Sequence, residues 1–259
     1  MSVPTSSPDL ISRLRAAGCV FAEDEAALIT STARDAADLE AMTERRVSGV
    51  PLEYVLGWAS FCGLRIAVDP GVFIPRRRTE FLVAQALRVT APGAVVVDLG
   101  CGSGALGAAI AAERNVSLYA ADIEPAAVRC AARNLKPWQG AVSQGDLYDA
   151  LPAELRGRIN ILLSNVPYVP TDEIRLLPPE ARLYEPQITL DGGPDGLTTL
   201  RRVAAGAADW LAPGGHLFVE MSDQQAPLAQ AVLTSHGLVA EITVDEELGA
   251  NVVHGTYLP

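Results

Sequence analysis

The feature that most constrains the fold is an apolar stretch that ends in closely spaced glycines. Residues 95–104 read Val-Val-Val-Asp-Leu-Gly-Cys-Gly-Ser-Gly, and an alanine-rich helical pattern begins at residue 105. The apolar part predicts a buried strand, and the glycines predict a tight turn because glycine adopts positive φ without steric cost. A strand, a tight turn and a helix in direct succession are typical of parallel strands that are connected through helices. The chain is therefore predicted to fold around a parallel sheet.

The same alternation continues to the end of the chain. Strands are predicted at 94–99, 117–122, 141–144, 159–164, 216–220, 239–244 and 252–257. Helices are predicted between them at 105–113, 125–134, 197–211 and 224–235. Because the strands are almost entirely apolar, they indicate an α/β fold whose sheet is covered by helices on both faces.

The first part of the chain follows different patterns. Apolar residues recur near helical spacing from residue 8 to about residue 57, which predicts a small helical domain over residues 1–57. Short apolar stretches then flank Asp69-Pro70-Gly71 and predict a β-hairpin that turns at this Pro-Gly pair. The predicted organisation is a helical domain (1–57), a hairpin linker (58–78) and a main domain (79–259).

The glycine turn also predicts a cofactor site. N–H groups at the start of the following helix favour a carboxylate or a phosphate. Asp122 ends the next strand, where a carboxylate can accept hydrogen bonds from two ribose hydroxyls. Gly102-x-Gly104-x-x-Gly107 also matches the fingerprint of nicotinamide dinucleotides, so two classes of cofactor compete for this turn.

Three acidic or amide residues favour S-adenosylmethionine over a dinucleotide. Asp98 precedes the first glycine by two residues, where a carboxylate can meet the donor's ammonium group and would repel a pyrophosphate. Asp146 follows the third strand and offers an acceptor for an adenine amino group, and Asn165 follows the fourth strand at the edge where ligands bind in open sheets. The predicted donor-binding residues are Asp98, Gly100, Cys101, Gly102, Ser103, Gly104, Asp122, Asp146, Leu147 and Asn165.

A second motif, Ser164-Asn-Val-Pro-Tyr168, predicts the chemistry. An asparagine that leaves a buried strand into a Pro-Tyr turn presents a side-chain oxygen beside a backbone carbonyl. Two such acceptors can hold both hydrogens of a planar NH2 group, and an aromatic ring can cover its flat face. We therefore expect methylation of an amide or amino nitrogen, with Asn165, Val166, Pro167 and Tyr168 as the catalytic residues.

Charge and composition disfavour several other classes of partner. The net charge is −11 and Lys136 is the only lysine, which disfavours stable binding to a nucleic-acid backbone. No apolar run approaches the roughly 18 to 20 residues of a membrane span, and the N-terminus lacks the basic start and apolar core of a secretory signal. The four scattered cysteines and three histidines show no ligand spacing. We expect a cytoplasmic protein with no membrane partner and no metal site.

Together these motifs resemble the HemK/PrmC family, the class I methyltransferases that modify a glutamine side-chain nitrogen in peptide-chain release factors. The resemblance also rests on Phe73-Ile-Pro-Arg-Arg-Arg-Thr-Glu80, Tyr184-Glu-Pro-Gln187, Leu190-Asp-Gly-Gly193 and Leu211-x-Pro-Gly-Gly215. It implies a Rossmann-like, mostly parallel seven-stranded sheet and a substrate-recognition role for the helical domain. It also implies S-adenosylmethionine as donor and a release factor or another translation protein as substrate.

The chain departs from the family pattern at the catalytic turn. The family has Asn-Pro-Pro-Tyr, and Val166 stands in place of the first proline. The backbone carbonyl survives this change, but the turn becomes less rigid, which suggests a paralogue of the release-factor enzyme and leaves another protein target open. Two alternatives remain open. One is a nucleic-acid amino-methyltransferase, which would need a basic face or a target-recognition domain, and the other is a non-catalytic protein that only binds the donor.

Overall fold

The computed structural model describes residues 8–259, so the first seven residues of the predicted helical domain lie outside the described part. Four helices form an N-terminal bundle: α1 (Pro8–Ala16), α2 (Ala22–Thr32), α3 (Ala36–Val47) and α4 (Leu52–Leu56). Leu14 and Ile29 are fully buried between them. The side chain of Asp35 caps α3 by accepting a hydrogen bond from the Asp38 N–H at 2.9 Å.

A β-hairpin follows the bundle, but its turn lies earlier than the sequence predicted. Strands β1 (Trp58–Phe61) and β2 (Leu64–Ala67) pair antiparallel around Cys62 and Gly63. Both turn residues have positive φ, 48° and 74°, the geometry that matches the twist of a two-residue hairpin. A turn does form at Pro70-Gly71, where the Val72 N–H donates to the Asp69 carbonyl at 3.0 Å, but the prediction that it connects the hairpin strands was wrong. The proline ring fixes φ at a negative value and cannot occupy the first position of a two-residue hairpin turn of this kind.

The main sheet has seven strands in the order β5-β4-β3-β6-β7-β9-β8. They are β3 (Val95–Leu99), β4 (Ser117–Asp122), β5 (Ala141–Gln144), β6 (Ile159–Ser164), β7 (Leu211–Met221), β8 (Leu238–Asp245) and β9 (Ala250–Tyr257). Strand β9 runs antiparallel to both of its neighbours, and the other pairs are parallel. The predicted Rossmann-like, mostly parallel seven-stranded sheet is confirmed.

Helices cover both faces of this sheet. They are α5 (Glu80–Leu87), α6 (Ala105–Glu113), α7 (Pro125–Leu135), α8 (Pro179–Tyr184), α9 (Thr198–Trp210) and α10 (Ala226–Ser235). Alternate residues of β3 enter different cores: Val96 packs in the cluster that holds Ile110 of α6, and Val97 packs in the cluster that holds Val203 of α9. Within residues 8–259, no helix has the length and apolar character needed to cross a membrane.

The topology also fixes where a ligand can bind. The chain moves from β3 to β4 and β5 on one side and then returns to place β6 on the other side of β3. The strand order therefore reverses between β3 and β6, and open α/β sheets bind ligands beyond the carboxyl ends of the strands at such a point.

Candidate active site

A cleft opens at this reversal point, beyond the carboxyl ends of β3, β4 and β6. Most of the predicted site residues line it: Gly100, Cys101, Gly102, Ser103, Asp122, Asp146, Leu147, Asn165, Val166 and Pro167. Phe61 of the hairpin and Phe73 contribute apolar wall. The empty volume is about 1040 Å³, including the part open to solvent, which is ample for a nucleoside-bearing ligand.

The glycine turn forms the floor of the cleft. Gly100 and Gly102 have φ of 73° and 53°, values that residues with a side chain rarely adopt. Gly104, which does not line the cleft, serves helix packing instead, because a Cβ there would lie 3.2 Å from Ala131 and Leu135 of α7. Burial raises the pKa of the Cys101 thiol well above its usual value, so that thiol stays protonated and unreactive.

Asp122 ends β4 and is fixed beside the turn. Its Oδ2 accepts a hydrogen bond from the Gly102 N–H at 2.8 Å, and its Oδ1 accepts one from the Glu124 N–H at 2.9 Å. Burial raises the pKa of this carboxyl, although these backbone donors oppose the shift. Each carboxylate oxygen has further acceptor capacity. The arrangement therefore suits an acid that accepts hydrogen bonds from neutral hydroxyls.

Asp98 lies beneath the turn and does not line the cleft. Its side chain is fully buried, its Oδ2 accepts a hydrogen bond from the Gly107 N–H at 3.0 Å, and its Oδ1 has no partner within residues 8–259. Burial, reinforced by the charge of Asp122, raises the pKa of Asp98 to about 7. The side chain is held at the start of α6 by the Gly107 N–H, and its contact with an ammonium group stays a prediction. A buried carboxyl with an unpartnered oxygen still fits a ligand that brings positive charge into the cleft.

Asp146 lies at the rim of the cleft rather than in its depth. Its Oδ2 accepts a hydrogen bond from Arg202 Nη2 at 2.7 Å, and both side chains are about half exposed. The next residue, Leu147, also lines the cleft and adopts an unusual φ of 49°. The predicted adenine acceptor is thus already in an ion pair through one oxygen, and its other oxygen remains available.

The motif at residues 164–168 joins the cleft to a second groove. Ser164 Oγ donates to the Leu99 carbonyl at 3.2 Å, which ties the ends of β6 and β3 together. Asn165 Nδ2 donates to Thr79 Oγ1 at 3.5 Å, while no hydrogen bond reaches Asn165 Oδ1 from any described residue. Val166 is 3% exposed and packs in the core. The asparagine is therefore held by its nitrogen and open at its oxygen.

The second groove runs from this motif towards α8. It shares Phe73, Asn165, Val166, Pro167 and Thr189 with the cleft and adds Tyr168, Arg76, Arg78 and Glu180. Tyr168 does not line the cleft, so the predicted site residues divide between two cavities that meet at Asn165–Pro167.

Tyr168 is bound through its hydroxyl to charged residues that sequence reasoning did not assign to the site. The hydroxyl donates to Glu220 Oε1 at 2.8 Å and accepts from Arg78 Nη2 at 2.5 Å. Arg78 Nε also donates to Glu220 Oε1 at 3.0 Å. Burial, followed by the charge of Glu220, raises the pKa of Tyr168, so the hydroxyl stays protonated. This network fixes the ring as a wall of the second groove.

A second buried ion pair anchors the segment before α5. Arg76 Nη2 contacts Glu185 Oε2 at 2.5 Å, and the Glu185 side chain is fully buried. Glu185 Oε1 also accepts a hydrogen bond from the Ile74 N–H at 3.1 Å. The run of three arginines signals charge in the sequence, but the carboxylate partners of Arg76 and Arg78 lie more than 100 residues away. The pattern of neighbouring residues therefore could not identify them.

Backbone pairing supports the motif from its far side. The Val169 N–H donates to the Leu190 carbonyl at 3.1 Å, and the Gly192 N–H donates back to the Val169 carbonyl at 2.8 Å. Gln225 Nε2 donates to the Tyr168 carbonyl at 2.7 Å. The segments around residues 190 and 225 are thus the scaffold of the motif, although they are distant from it in sequence.

Comparison with known proteins adds independent information. The chain matches the Methyltransferase small domain family over residues 63–176. It is 36% identical over 217 residues to the release factor glutamine methyltransferase of Geobacter sulfurreducens, covering 83% of this chain and 75% of that protein. The Gloeobacter violaceus protein of the same name is 39% identical over 203 residues, covering 75% and 70%. The solved 16S rRNA methyltransferase of T. thermophilus, in complex with AdoMet and guanosine, shares the fold with a TM-score of 0.55 at 21% identity, covering 77% of this chain and 49% of that one.

Proposed function

The chain belongs to the family of release factor glutamine methyltransferases, and on this premise we propose that its protein substrate is a peptide-chain release factor, methylated at N5 of a glutamine side chain. The protein is a methyltransferase, and its methyl donor is S-adenosylmethionine. Neither the nicotinamide alternative for the glycine turn nor the non-catalytic alternative is therefore retained.

The observation that carries the proposal is the meeting of two cavities at Asn165–Pro167. A methyltransferase must bring donor and acceptor together from different directions, because each needs its own binding surface. The cleft has the fixed carboxylate of Asp122 and a turn without side chains, as a nucleoside-bearing donor requires. The second groove has aromatic and charged walls that suit a segment of polypeptide.

The donor cleft fits S-adenosylmethionine in chemistry as well as in size. When bound, this group supplies a methyl carbon that is activated by attachment to a positively charged sulfur. We propose that Asp122 accepts hydrogen bonds from its ribose hydroxyls and that Asp146 accepts one from its adenine amino group. The unpartnered Asp98 carboxyl beneath the turn favours positive charge in the cleft.

The motif residues suit an amide nitrogen as the acceptor. Such a nitrogen is a poor nucleophile because its lone pair is shared with the carbonyl group. We propose that Asn165 Oδ1 and the Val166 carbonyl accept its two hydrogens and hold the nitrogen in the orientation for transfer. Neither oxygen accepts a hydrogen bond within residues 8–259. No side chain needs to act as a base before transfer, because the N-protonated amide that transfer produces loses its proton readily to water.

The N-terminal bundle contacts the groove and is proposed to help recognise the substrate protein. Arg46 of α3 is 8% exposed and its Nη1 donates to Glu180 of α8 at 2.6 Å, and Glu180 lines the groove. Tyr184 Oη also donates to the Ser48 carbonyl at 3.4 Å. We place the enzyme in the cytoplasm, where its four unpaired cysteines would remain reduced.

The proposal is tested by methylation of a purified release factor with S-adenosylmethionine, read by peptide mass spectrometry. We expect one glutamine to gain about 14 Da, the mass of one methylene group. We expect no gain of mass in the substrate in which that glutamine is replaced by asparagine. Transfer to a ribosomal protein but not to a release factor would show that the proposed substrate is wrong and that the proposed methyl transfer to a protein is right. Transfer to neither class of protein would overturn the proposal.

A further inference from the structure

A third cavity opens at the carboxyl end of β7, between the exit of this strand and the turn that joins β8 to β9. Arg78 and Tyr168 form one of its walls, and the same two residues line the second groove, so the two cavities adjoin. We call this site the acidic cavity, after its lining residues Asp223, Asp245 and Glu246.

The charge of the acidic cavity is not balanced by its own walls. Arg78 is the one cation among its lining residues, and Arg78 is already paired with Glu220 Oε1 at 3.0 Å. The carboxylates of Asp223, Asp245 and Glu246 remain, and neither Asp223 nor Glu246 forms an ion pair within residues 8–259. The cavity therefore favours a positively charged occupant.

A buried acceptor makes the same demand independently of the carboxylates. Asn251 lines the cavity, is 7% exposed, and its Oδ1 has no hydrogen-bond partner among the described residues. Glu220 holds Arg78 and Tyr168 in the wall but does not itself line the cavity. A buried acceptor without a donor destabilises the protein, so a ligand rich in N–H groups is favoured.

The apolar part of the wall distinguishes between kinds of cation. Met221 and Val244 line the cavity beside the acceptors, which suits a long aliphatic stem that ends in a charged group. A metal ion is disfavoured, because residues 8–259 contain no group of three or more His, Cys, Asp or Glu side chains suited to hold one. Lysine and arginine side chains have both the stem and the donors that the cavity requires.

We propose that the acidic cavity binds a lysine or arginine side chain of the substrate protein, at a fixed position relative to the glutamine that enters the second groove. This inference rests on the proposed function, because it assumes a protein substrate. Since Arg78 and Tyr168 belong to both cavities, a basic side chain in one helps to set the register of the polypeptide in the other. The cavity would then select which glutamine is methylated.

The test uses the full-length variant Asp223→Asn/Glu246→Gln, which changes two exposed acids. We expect KM for the release factor to rise about fivefold or more, with a smaller change in kcat and unchanged donor affinity, and the effect to shrink as salt screens the charges. The matched control is Glu241→Gln/Glu247→Gln, which removes one exposed acid from the middle of β8 and one from the β8–β9 turn, both outside the cavity. An equal rise in KM for the control would mean that net charge alone acts, and the proposal would fail.

The substrate side completes the test. Each lysine and arginine near the target glutamine is replaced by methionine, and KM is measured with wild-type and variant enzyme. One substrate substitution should raise KM for the wild type and have little further effect on the Asp223→Asn/Glu246→Gln enzyme. If every pair of substitutions is additive, no basic side chain occupies the cavity.

Failure of the proposed function is recognised separately, because the wild-type enzyme would then not methylate the release factor. In that case methylguanidinium serves as the probe, and its binding is followed by the NMR shift of the Asn251 side-chain amide. A saturable shift that is lost in Asp223→Asn/Glu246→Gln would support the cavity as a cation site. Absence of any saturable shift would overturn it.

Discussion

At the scale of single residues, the site depends on side chains that are fixed at one end and open at the other. Asn165 donates through Nδ2 to Thr79, and its Oδ1 accepts nothing within residues 8–259. Asp122 is held by two backbone N–H groups and keeps acceptor capacity on both oxygens. Hydrogen bonds at one end of each side chain restrict its conformation before the ligand binds. Less conformational entropy of these side chains is therefore lost during the reaction.

Replacing Asn165 by alanine tests the acceptor role directly. Asn165→Ala should lower kcat by roughly 10² or more, as loss of a preorganised polar contact does in other enzymes. Donor affinity should change little, because the glycine turn and Asp122 remain. Single-turnover rates on a methylated substrate protein and calorimetric titration of the donor measure the two effects. Thr79→Val, which removes only the weak contact to Nδ2, should cost less, and an unchanged rate in Asn165→Ala would refute the role.

Replacing Asp122 tests the donor cleft. Asp122→Ala should weaken S-adenosylmethionine binding by roughly 1.5 to 3 kcal/mol, because a charged acceptor loses its hydrogen bonds to the donor. Isothermal titration calorimetry measures this loss. Asp149→Ala is the control, because Asp149 is an exposed acid of the neighbouring segment that does not line the cleft. Equal donor affinity in wild type and Asp122→Ala would exclude the ribose contact.

At the scale of elements, one glycine is required by the scaffold that supports the motif. Gly196 has φ of 75°, and a Cβ there would lie 2.1 Å from Gln225 Nε2 and 2.2 Å from the Tyr168 carbonyl oxygen. The backbone at Gly196 therefore approaches the Gln225–Tyr168 hydrogen bond so closely that a Cβ at this position would collide with both partners. The Asp195-Gly196 pair of the sequence thus supports the motif from outside the cleft.

A matched pair of variants separates this steric clash from backbone strain. Gly214 has the same φ of 75° as Gly196, but nothing lies within 4 Å of a Cβ there. Gly214→Ala should lower the unfolding free energy by about 1 kcal/mol, the cost of a left-handed non-glycine residue. Gly196→Ala should cost about 2 kcal/mol or more beyond that and should also slow methyl transfer. Urea unfolding and kcat measure both, and equal losses for the two variants would contradict the clash.

A pair of histidines between β7 and β9 predicts a pH dependence of stability. His216 Nδ1 and His254 Nε2 are 2.8 Å apart, and His254 stacks on Phe218 with ring centroids 4.4 Å apart. Burial, together with the charge of His216, lowers the pKa of His254 to about 4. The unfolded chain takes up this proton near pH 6.5 and the folded protein does not. Stability from the neutral ring is therefore complete above about pH 6.5 and is lost as the pH falls towards 4.

The measurement compares wild type with His254→Gln, because Asp98 titrates in the same window with the opposite sign. The pKa of Asp98 is raised to about 7, so its protonation favours the folded state as the pH falls. As the pH falls from about 6.5 to 5, the urea midpoint of the wild type should fall relative to the midpoint of His254→Gln. A difference that is independent of pH would show that His254 does not titrate as expected.

Local sequence patterns predicted the strands well where the alternation of apolar segments and turn residues determines them. Strands β4, β5 and β6 begin and end at the predicted residues. β4 and β6 are mainly apolar segments, and the short β5 lies between Gly140 and Gly145. The hairpin turn was misplaced because Pro-Gly is a strong general turn signal, whereas the Cys62-Gly63 turn depends on pairing across the hairpin. The orientation of Asp98 and the partners of Arg76 and Arg78 depend on long-range packing, so no local pattern contains them.

At the scale of the whole molecule, the bundle, the groove and the sheet are connected by buried charges. Arg46 joins α2 to α8 through Glu25 and Glu180, each at 2.6 Å, and Arg76 joins the segment before α5 to Glu185. Removing one partner of a buried ion pair leaves an uncompensated buried charge. The resulting loss of stability is larger than the net stabilisation that the intact pair contributes. Arg46, buried beside Glu25, therefore ties the bundle to Glu180 at the groove.

The distribution of charge gives the last prediction, which concerns nucleic acid. The net charge is −11, and three of the carboxylates line the acidic cavity, which adjoins the second groove. Binding to a duplex derives most of its free energy from cations that displace counterions at phosphates, and this surface offers few of them. A 20-base-pair DNA duplex, at roughly physiological salt, should therefore bind weakly and accept no methyl group. Filter binding and donor-labelled transfer measure this, with the release factor as positive control. Nanomolar duplex affinity together with methyl transfer to adenine or guanine would favour the nucleic-acid alternative over a protein substrate.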